Sequence, residues 1–226
     1  MELSHYQHAI LDEVRSGSTN ILVKALAGAG KTQILEWAVQ TLPQKMSVAF
    51  MAFSKAIAET LSERMPEHCQ TSTINSAGYQ ACRMTLPFAR FDQGKVHKLL
   101  VEMYPNVSRN FLYQVKRLVS LGKAYGYGYH SGRQHPLEAA TAERWSYLLM
   151  RHALDIDAED EEEAIEMADN ALWENNQHLE TLDYDDQVYF PVIFNYRTPK
   201  YDFVGLDEGQ DLNVLQRWFV KKLISR

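Results

Sequence analysis

The sequence predicts an α/β fold in which a parallel sheet is flanked by helices and interrupted by a mainly helical insertion. Three observations predict it. Over residues 1–84, apolar runs of strand length alternate with helical periodicity, the order that builds a parallel sheet covered on both faces. Residues 85–182 carry a mostly helical pattern broken at Pro87, Pro105, Gly122 to Gly132 and Pro136. Residues 183–226 return to an apolar run, Tyr201 to Leu206, with acids at its end. The insertion is then a subdomain between two strands of one sheet.

Each element follows from its own pattern. Residues 3–15 read as a helix and Ile21 to Leu26 as a buried strand. Thr32 to Leu42 reads as a helix ended before Pro43, because the residue preceding a proline is pushed out of helical geometry. Ser47 to Phe53 is a second apolar run, Lys55 to Met65 a helix stopped by Pro66, and Cys69 to Ile74 a short strand. The acidic run Glu159-Asp-Glu-Glu-Glu163 reads as a helix start. Acids favour the N-terminal turn, and Ala164, Met167, Ala168, Ala171 and Leu172 follow at helical spacing.

Composition bounds the function. A chain of 226 residues, 46% hydrophobic and 23% charged, is globular and long enough for a substantial core. No apolar run approaches the ~20 residues that cross a bilayer, and Glu2, His5 and Asp12 depart from a signal-peptide layout. The expectation is no membrane and a cytoplasmic setting, bacterial, phage or nucleoid-associated. Cys69 and Cys82 are too few for a disulfide framework or a zinc site. Trp37, Trp145, Trp173 and Trp218 mostly fall at helical apolar positions and are expected in the core. The net charge of −6 argues against a dedicated nucleic-acid wrapper, yet charge is divided along the chain. Arg90, Lys95, Lys98, Arg109, Lys116, Arg117 and Lys123 face Asp92 and Glu102 alone between Arg83 and Arg133, whereas Asp155 to Asp186 holds many acids and no Lys or Arg. A basic surface followed by an acidic one is expected.

The chemistry concentrates at two places. Gly28-Ala-Gly-Lys31-Thr32, between a strand and a helix, is a phosphate-binding loop. Its glycines let backbone amides turn onto phosphates, Lys31 reaches the terminal phosphates and the Thr32 hydroxyl can ligate Mg2+. Ala25 stands where the usual pattern has its first glycine. Ala27, Gly28, Ala29, Gly30, Lys31, Thr32 and Gln33 are the candidate nucleotide contacts. The second place is Asp207-Glu208-Gly-Gln210-Asp211, two adjacent carboxylates at the end of an apolar strand, where parallel sheets bind ligands. Asp207 suits Mg2+, and Glu208 suits taking a proton from an attacking water.

These motifs together resemble the UvrD/Rep-like superfamily 1 DNA helicases, in the F-box and phage helicase branch. Leu3-Ser-His-Tyr-Gln7 is similar to the family's Q motif, which implies that Gln7 reads adenine. Ala27 to Thr32 matches motif I, Ala52 to Glu59 resembles motif Ia, and Thr73-Ile-Asn-Ser76 resembles motif Ib, with Asn75 where the family usually has His. Asp207 to Asp211 resembles motif II, with Gly209 in place of Ala and Gln210 in the position that senses the terminal phosphate. Asp183-Tyr-Asp-Asp186 resembles the segment preceding motif II. The resemblance implies a RecA-like P-loop NTPase domain holding ATP and Mg2+, with Lys31, Asp207, Glu208 and Gln210 catalytic.

It also implies single-stranded DNA, or a DNA junction, as partner, contacted through Ser54, Lys55, Thr73 and Asn75. Phe53 fits base stacking or the core equally. In the insertion, Tyr125, Tyr127 and Tyr129 alternate with glycines and could stack on bases. Nothing after Asp211 resembles the later helicase motifs. The implied reading is an N-terminal motor half, completed by a second RecA-like domain of the same protein or a partner, with little turnover alone. A P-loop kinase or a nucleotide-binding interaction module stay open as other classes.

Overall fold

The computed structural model describes residues 3–17, 20–26 and 28–225. In chain order the elements are α1 (His5–Ser16), α2 (Lys31–Thr41), β1 (Val48–Ala52), α3 (Lys55–Ser62), β2 (Cys69–Thr73), α4 (Ile74–Thr85), β3 (Arg90–Phe91), α5 (Lys95–Met103) and α6 (Arg109–Tyr125). They continue with β4 (Tyr127–Gly128), β5 (Glu138–Ala139), α7 (Ala142–His152), α8 (Glu161–Gln177), β6 (Thr181–Leu182), α9 (Asp186–Ile193), β7 (Phe203–Leu206), a 3-10 turn (Gly209–Asp211) and α10 (Val214–Leu223). Two compact units result. One comprises Met1–Ile74, Pro199–Asp211 and Val220–Arg226, the other Asn75–Thr198 and Leu212–Phe219.

The first unit is built on a parallel sheet of order β2-β1-β7. Every residue of the central β1 is buried, as the uninterrupted apolar run Val48-Ala-Phe-Met-Ala52 requires. Val48, Phe50 and Ala52 alternate onto one face and pack with Leu11 and Val14 of α1, Ile34, Ala38 and Val39 of α2, and Ala58 and Leu61 of α3. Prolines close helices as expected, with α2 ending at Thr41 before Pro43.

One expected strand is missing. Residues 20–26 join no ladder among the described residues, and Leu22 and Leu26 are 79% and 85% exposed. Apolarity signals a need for burial but supplies no hydrogen-bonding partner. β7 accordingly stands at the sheet edge with Phe203, Val204 and Leu206 half-buried.

The second unit packs α5, α6, α7 and α8 against one another, with two small parallel ladders, β3 with β6 and β4 with β5. The acidic run does start a helix: Glu161, Glu162 and Glu163 occupy the first turn of α8, and Ala164, Met167, Ala168, Ala171 and Leu172 are buried. Trp145 is fully buried beneath Gly122, while Trp173 and Trp218 are 41% and 48% exposed, so the expectation of core tryptophans fails for those two. Helical spacing places a side chain on a face without stating how fully that face is covered.

The basic half of the insertion also needs correction, because two of its lysines are internal. Lys123 is fully buried and donates to Asp183 Oδ2 at 2.8 Å and Asn175 Oδ1 at 3.1 Å, with Asp186 Oδ1 also at 2.8 Å. Lys95, 4% exposed, donates to Asp186 Oδ2 at 2.9 Å and to the Asn175 carbonyl at 3.1 Å. The aspartates brace each other's backbone: Asp183 N donates to Asp186 Oδ2 and Asp186 N to Asp183 Oδ1. Burial opposes the charge on Lys123, but Asp183 and Asp186 outweigh it and hold its pKa above the ordinary lysine value. This network also explains the unit boundary. Asp183 to Thr198 belongs with the helices rather than with the returning strand.

Two stability predictions follow from this interior. Lys123→Met strands Asp183 without its ammonium partner and is expected to cost about 3–5 kcal/mol in urea unfolding; an unchanged midpoint would show that the network contributes nothing net. A Cβ on Gly122 would lie 2.3 Å from Trp145 Cη2 in a ring with no room to move, so Gly122→Ala is expected to lose about 1–3 kcal/mol. Wild-type stability in that variant would contradict the packing.

Candidate functional site

Parallel pairing sends the carboxyl ends of three strands to one edge of the sheet. Ala52 pairs with Thr73 and Met51 with Leu206, so Ser54 and Lys55, Thr73, and Asp207 with Glu208 all emerge at that edge. Asp207 N still donates to the Met51 carbonyl at 3.2 Å, which anchors the first carboxylate to the central strand. Glu208 then takes φ 51, in the left-handed region that few residues other than glycine adopt, at a cost of about 1–3 kcal/mol. Its N–H donates to Asp207 Oδ1 at 3.0 Å, and the chain enters the 3-10 turn. A Cβ on Gly209 would approach Leu206 Cδ2 at 3.2 Å, so glycine relieves crowding where the resembled motif has alanine.

Opposite lies the glycine loop. Gly28 and Gly30 adopt φ 76 and 79, which the loop needs glycine to reach, and a Cβ on Gly28 would meet nothing within 4 Å. The loop backbone is therefore open to an approaching ligand. Ala29 N donates to the Leu26 carbonyl at 3.2 Å, and Gly30 begins α2 with no side-chain cap and no acid in the first turn. The leading amides and the positive end of the helix dipole are thus left for an anion. Ala27 lies outside the described residues.

The two motifs meet. Thr32 Oγ1 donates to Asp207 Oδ2 at 2.7 Å, across 175 residues of sequence. Lys31 Nζ lies 3.6 Å from Glu208 Oε2, and Gln210 Nε2 donates to the same oxygen. The Gln210 amide and then the Lys31 charge hold the Glu208 carboxyl below its usual range. Gln33 turns away and donates to Glu36 Oε2 at 3.1 Å. Gln7 forms a capping box with Ser4, whose backbone N donates to Gln7 Oε1 at 2.8 Å. Its Nε2 lies 4.0 Å from where a Cβ on Gly30 would sit, so α1 delivers this amide to the loop. The Ser-x-x-Gln signal for that box is legible in the sequence.

The arrangement fits the phosphates of a nucleotide with Mg2+. Cis oxygens of an octahedron with bonds of ~2.1 Å lie ~3 Å apart, close to the 2.7 Å between the Thr32 hydroxyl and the Asp207 carboxylate. Those are hard oxygen donors, which Mg2+ takes alongside water and phosphate. Among the described residues no three His, Cys, Asp or Glu side chains converge as a metal site. No described helix is long and apolar enough to cross a membrane.

The residues expected to contact DNA divide. Phe53 is 64% exposed, settling it outside the core. Ser54 caps α3, accepting from Ile57 N at 3.3 Å, and Lys55 is exposed with Glu59 3.6 Å away. Thr73 ends β2, half-buried. In the second unit Asn75 Nδ2 donates to the Tyr184 carbonyl at 3.0 Å. Tyr127 is a correction: it is 2% exposed, its ring meets Trp145 edge-on and its hydroxyl donates to the Arg144 carbonyl, so neither ring face can stack on a base. Tyr129 is tied to Asp169 and packed on Trp173. Tyr125 remains half-exposed beside His152, Arg151 and Tyr147. Tyr147 and Tyr113 are also exposed, at 44% and 55%.

A protein-family model described as an AAA domain matches residues 2–102. The matched stretch holds Gln7 and the whole glycine loop and ends before Asp207. No curated protein and no solved structure matches the chain. The chain has the fold of a P-loop NTPase, an α/β parallel sheet flanked by helices with the phosphate loop entering α2.

Proposed function

We propose that this site binds Mg-ATP and hydrolyses it as part of a motor on single-stranded DNA, of the UvrD/Rep-like superfamily 1 kind. The observation that carries the reading is the Thr32 to Asp207 hydrogen bond, which brings phosphate loop and strand-end carboxylate to one point. Further support comes from the order of motifs, Gln7, the loop, the segments around Lys55 and Thr73, then Asp207 to Asp211. A second RecA-like domain, of the same protein or a partner, completes the cleft in this reading.

Each group has a definite task. Backbone amides at Gly28 to Thr32 and the Lys31 ammonium hold the phosphates. The ion, when bound, neutralises charge on the terminal phosphates. Thr32 and Asp207, now hydrogen-bonded to each other, would hold it. Glu208 orients the attacking water and takes its proton. While Lys31 lies beside it, Glu208 is a weak base; once Lys31 turns to phosphate, that part of the depression is relieved. Gln210, already hydrogen-bonded to Glu208, reports the terminal phosphate to the base. Gln7 favours adenine.

Lys31→Ala is expected to weaken Mg-ATP binding ~10- to 100-fold in calorimetry, the loss of charge-assisted hydrogen bonds. Unchanged affinity would overturn the site. Glu208→Gln is expected to keep binding and lose ~10^2- to 10^4-fold in turnover. The motor reading expects oligo-dT to raise the turnover of the wild type; phosphate transfer to a small molecule, indifferent to DNA, would replace it with a kinase.

A further inference from the structure

The second unit carries a cleft outside the nucleotide site. It has a volume of about 380 Å³ and is lined by Tyr113, Lys116, Arg117, Ser120, Leu121 and His152. The five α6 positions fall at i, i+3, i+4, i+7 and i+8, one face of that helix. α6 contains no Asp or Glu in 17 residues. Among the described residues neither Lys116 nor Arg117 pairs with a carboxylate; Arg117 donates to the Gln114 amide at 3.1 Å.

The cationic face continues past His152. Tyr125 Oη lies 3.3 Å from His152 Nε2 and accepts from Arg151 Nε at 3.0 Å. The Arg151 guanidinium sits 5.9 Å from the centre of the Tyr147 ring. Exposed flat rings thus alternate with cations that form no ion pair among the described residues, on a chain whose net charge is −6. Cations alone would fit any polyanion, but exposed tyrosine faces add a surface on which bases stack. A cleft at the small end of ligand pockets takes one unit of a flexible chain rather than a folded partner.

We infer that the α6–α7 face is a binding site for single-stranded nucleic acid, with Lys116, Arg117 and Arg151 on phosphates and Tyr113 and Tyr147 against bases. It deepens the proposed function and rests on it for the substrate class, but its geometry is independent of the phosphate loop. Fluorescence anisotropy of labelled oligo-dT on the full chain, without nucleotide, tests it. Lys116→Glu with Arg117→Glu is expected to weaken binding at least tenfold and to flatten the slope of log K against log salt by about 1.4. Tyr147→Ala is expected to lose about fivefold or more, with Tyr147→Phe retaining affinity. Circular dichroism and urea midpoints verify that each variant folds. Lys31→Ala should bind oligo-dT normally, so failure of the nucleotide reading leaves this result separate. Unchanged affinity in the charge-reversed variant would refute the site. Equal displacement by polyglutamate, with no effect of Tyr147→Ala, would overturn it in favour of an acidic protein partner.

Discussion

Everything in the first unit depends on the parallel pairing of β1 with strands on both its edges. β2 follows β1 closely in sequence, whereas β7 arrives after more than a hundred residues of other structure, yet both run in the same direction beside it. Parallel direction puts three carboxyl ends together, and the right chemistry then needs only short loops. A phosphate loop reaches that edge from α2 and an acidic pair from β7. Had β7 run antiparallel, Asp207 would leave the far edge and Thr32 would have no partner.

Legibility in the sequence followed the strength of each physical signal. The loop was readable because phosphate chemistry demands glycine, lysine and a hydroxyl at fixed spacing. β1, β2 and the helix ending before Pro43 were readable because burial and proline act locally, whereas α3 ends at Ser62, short of the Met65 expected from Pro66. The 21–26 segment was misread because strand identity depends on a neighbour that no local pattern encodes. Tyr127 was misread for the opposite reason: alternation with glycine looks like a loop, and only the tertiary partner Trp145 decides that the ring is internal.

Charge was the least reliable guide. Lys95 and Lys123 contributed to an apparent basic surface but are consumed by Asp183 and Asp186 inside the helices. Cations that do reach solvent, Lys116 and Arg117 among them, differ from them by no feature of composition. They differ by helix face, which 3.6-residue periodicity encodes once the buried positions Leu112, Val115, Leu118 and Val119 are known. The motif Asp183-x-x-Asp186 proved to be a structural clamp, each carboxylate holding the other's backbone.

That clamp bears on how the second unit assembles. Its contacts join residues 91 and 60 positions apart, so no single helix or hairpin contains all its members. Lys95 and Lys123 are made long before the aspartates during synthesis and must wait, hydrated, until α9 emerges. Ordering so many non-local partners at once favours slow, all-or-none folding. Helices α5 to α8 are thus expected to gain and lose their packing together with the aspartates, in a single step.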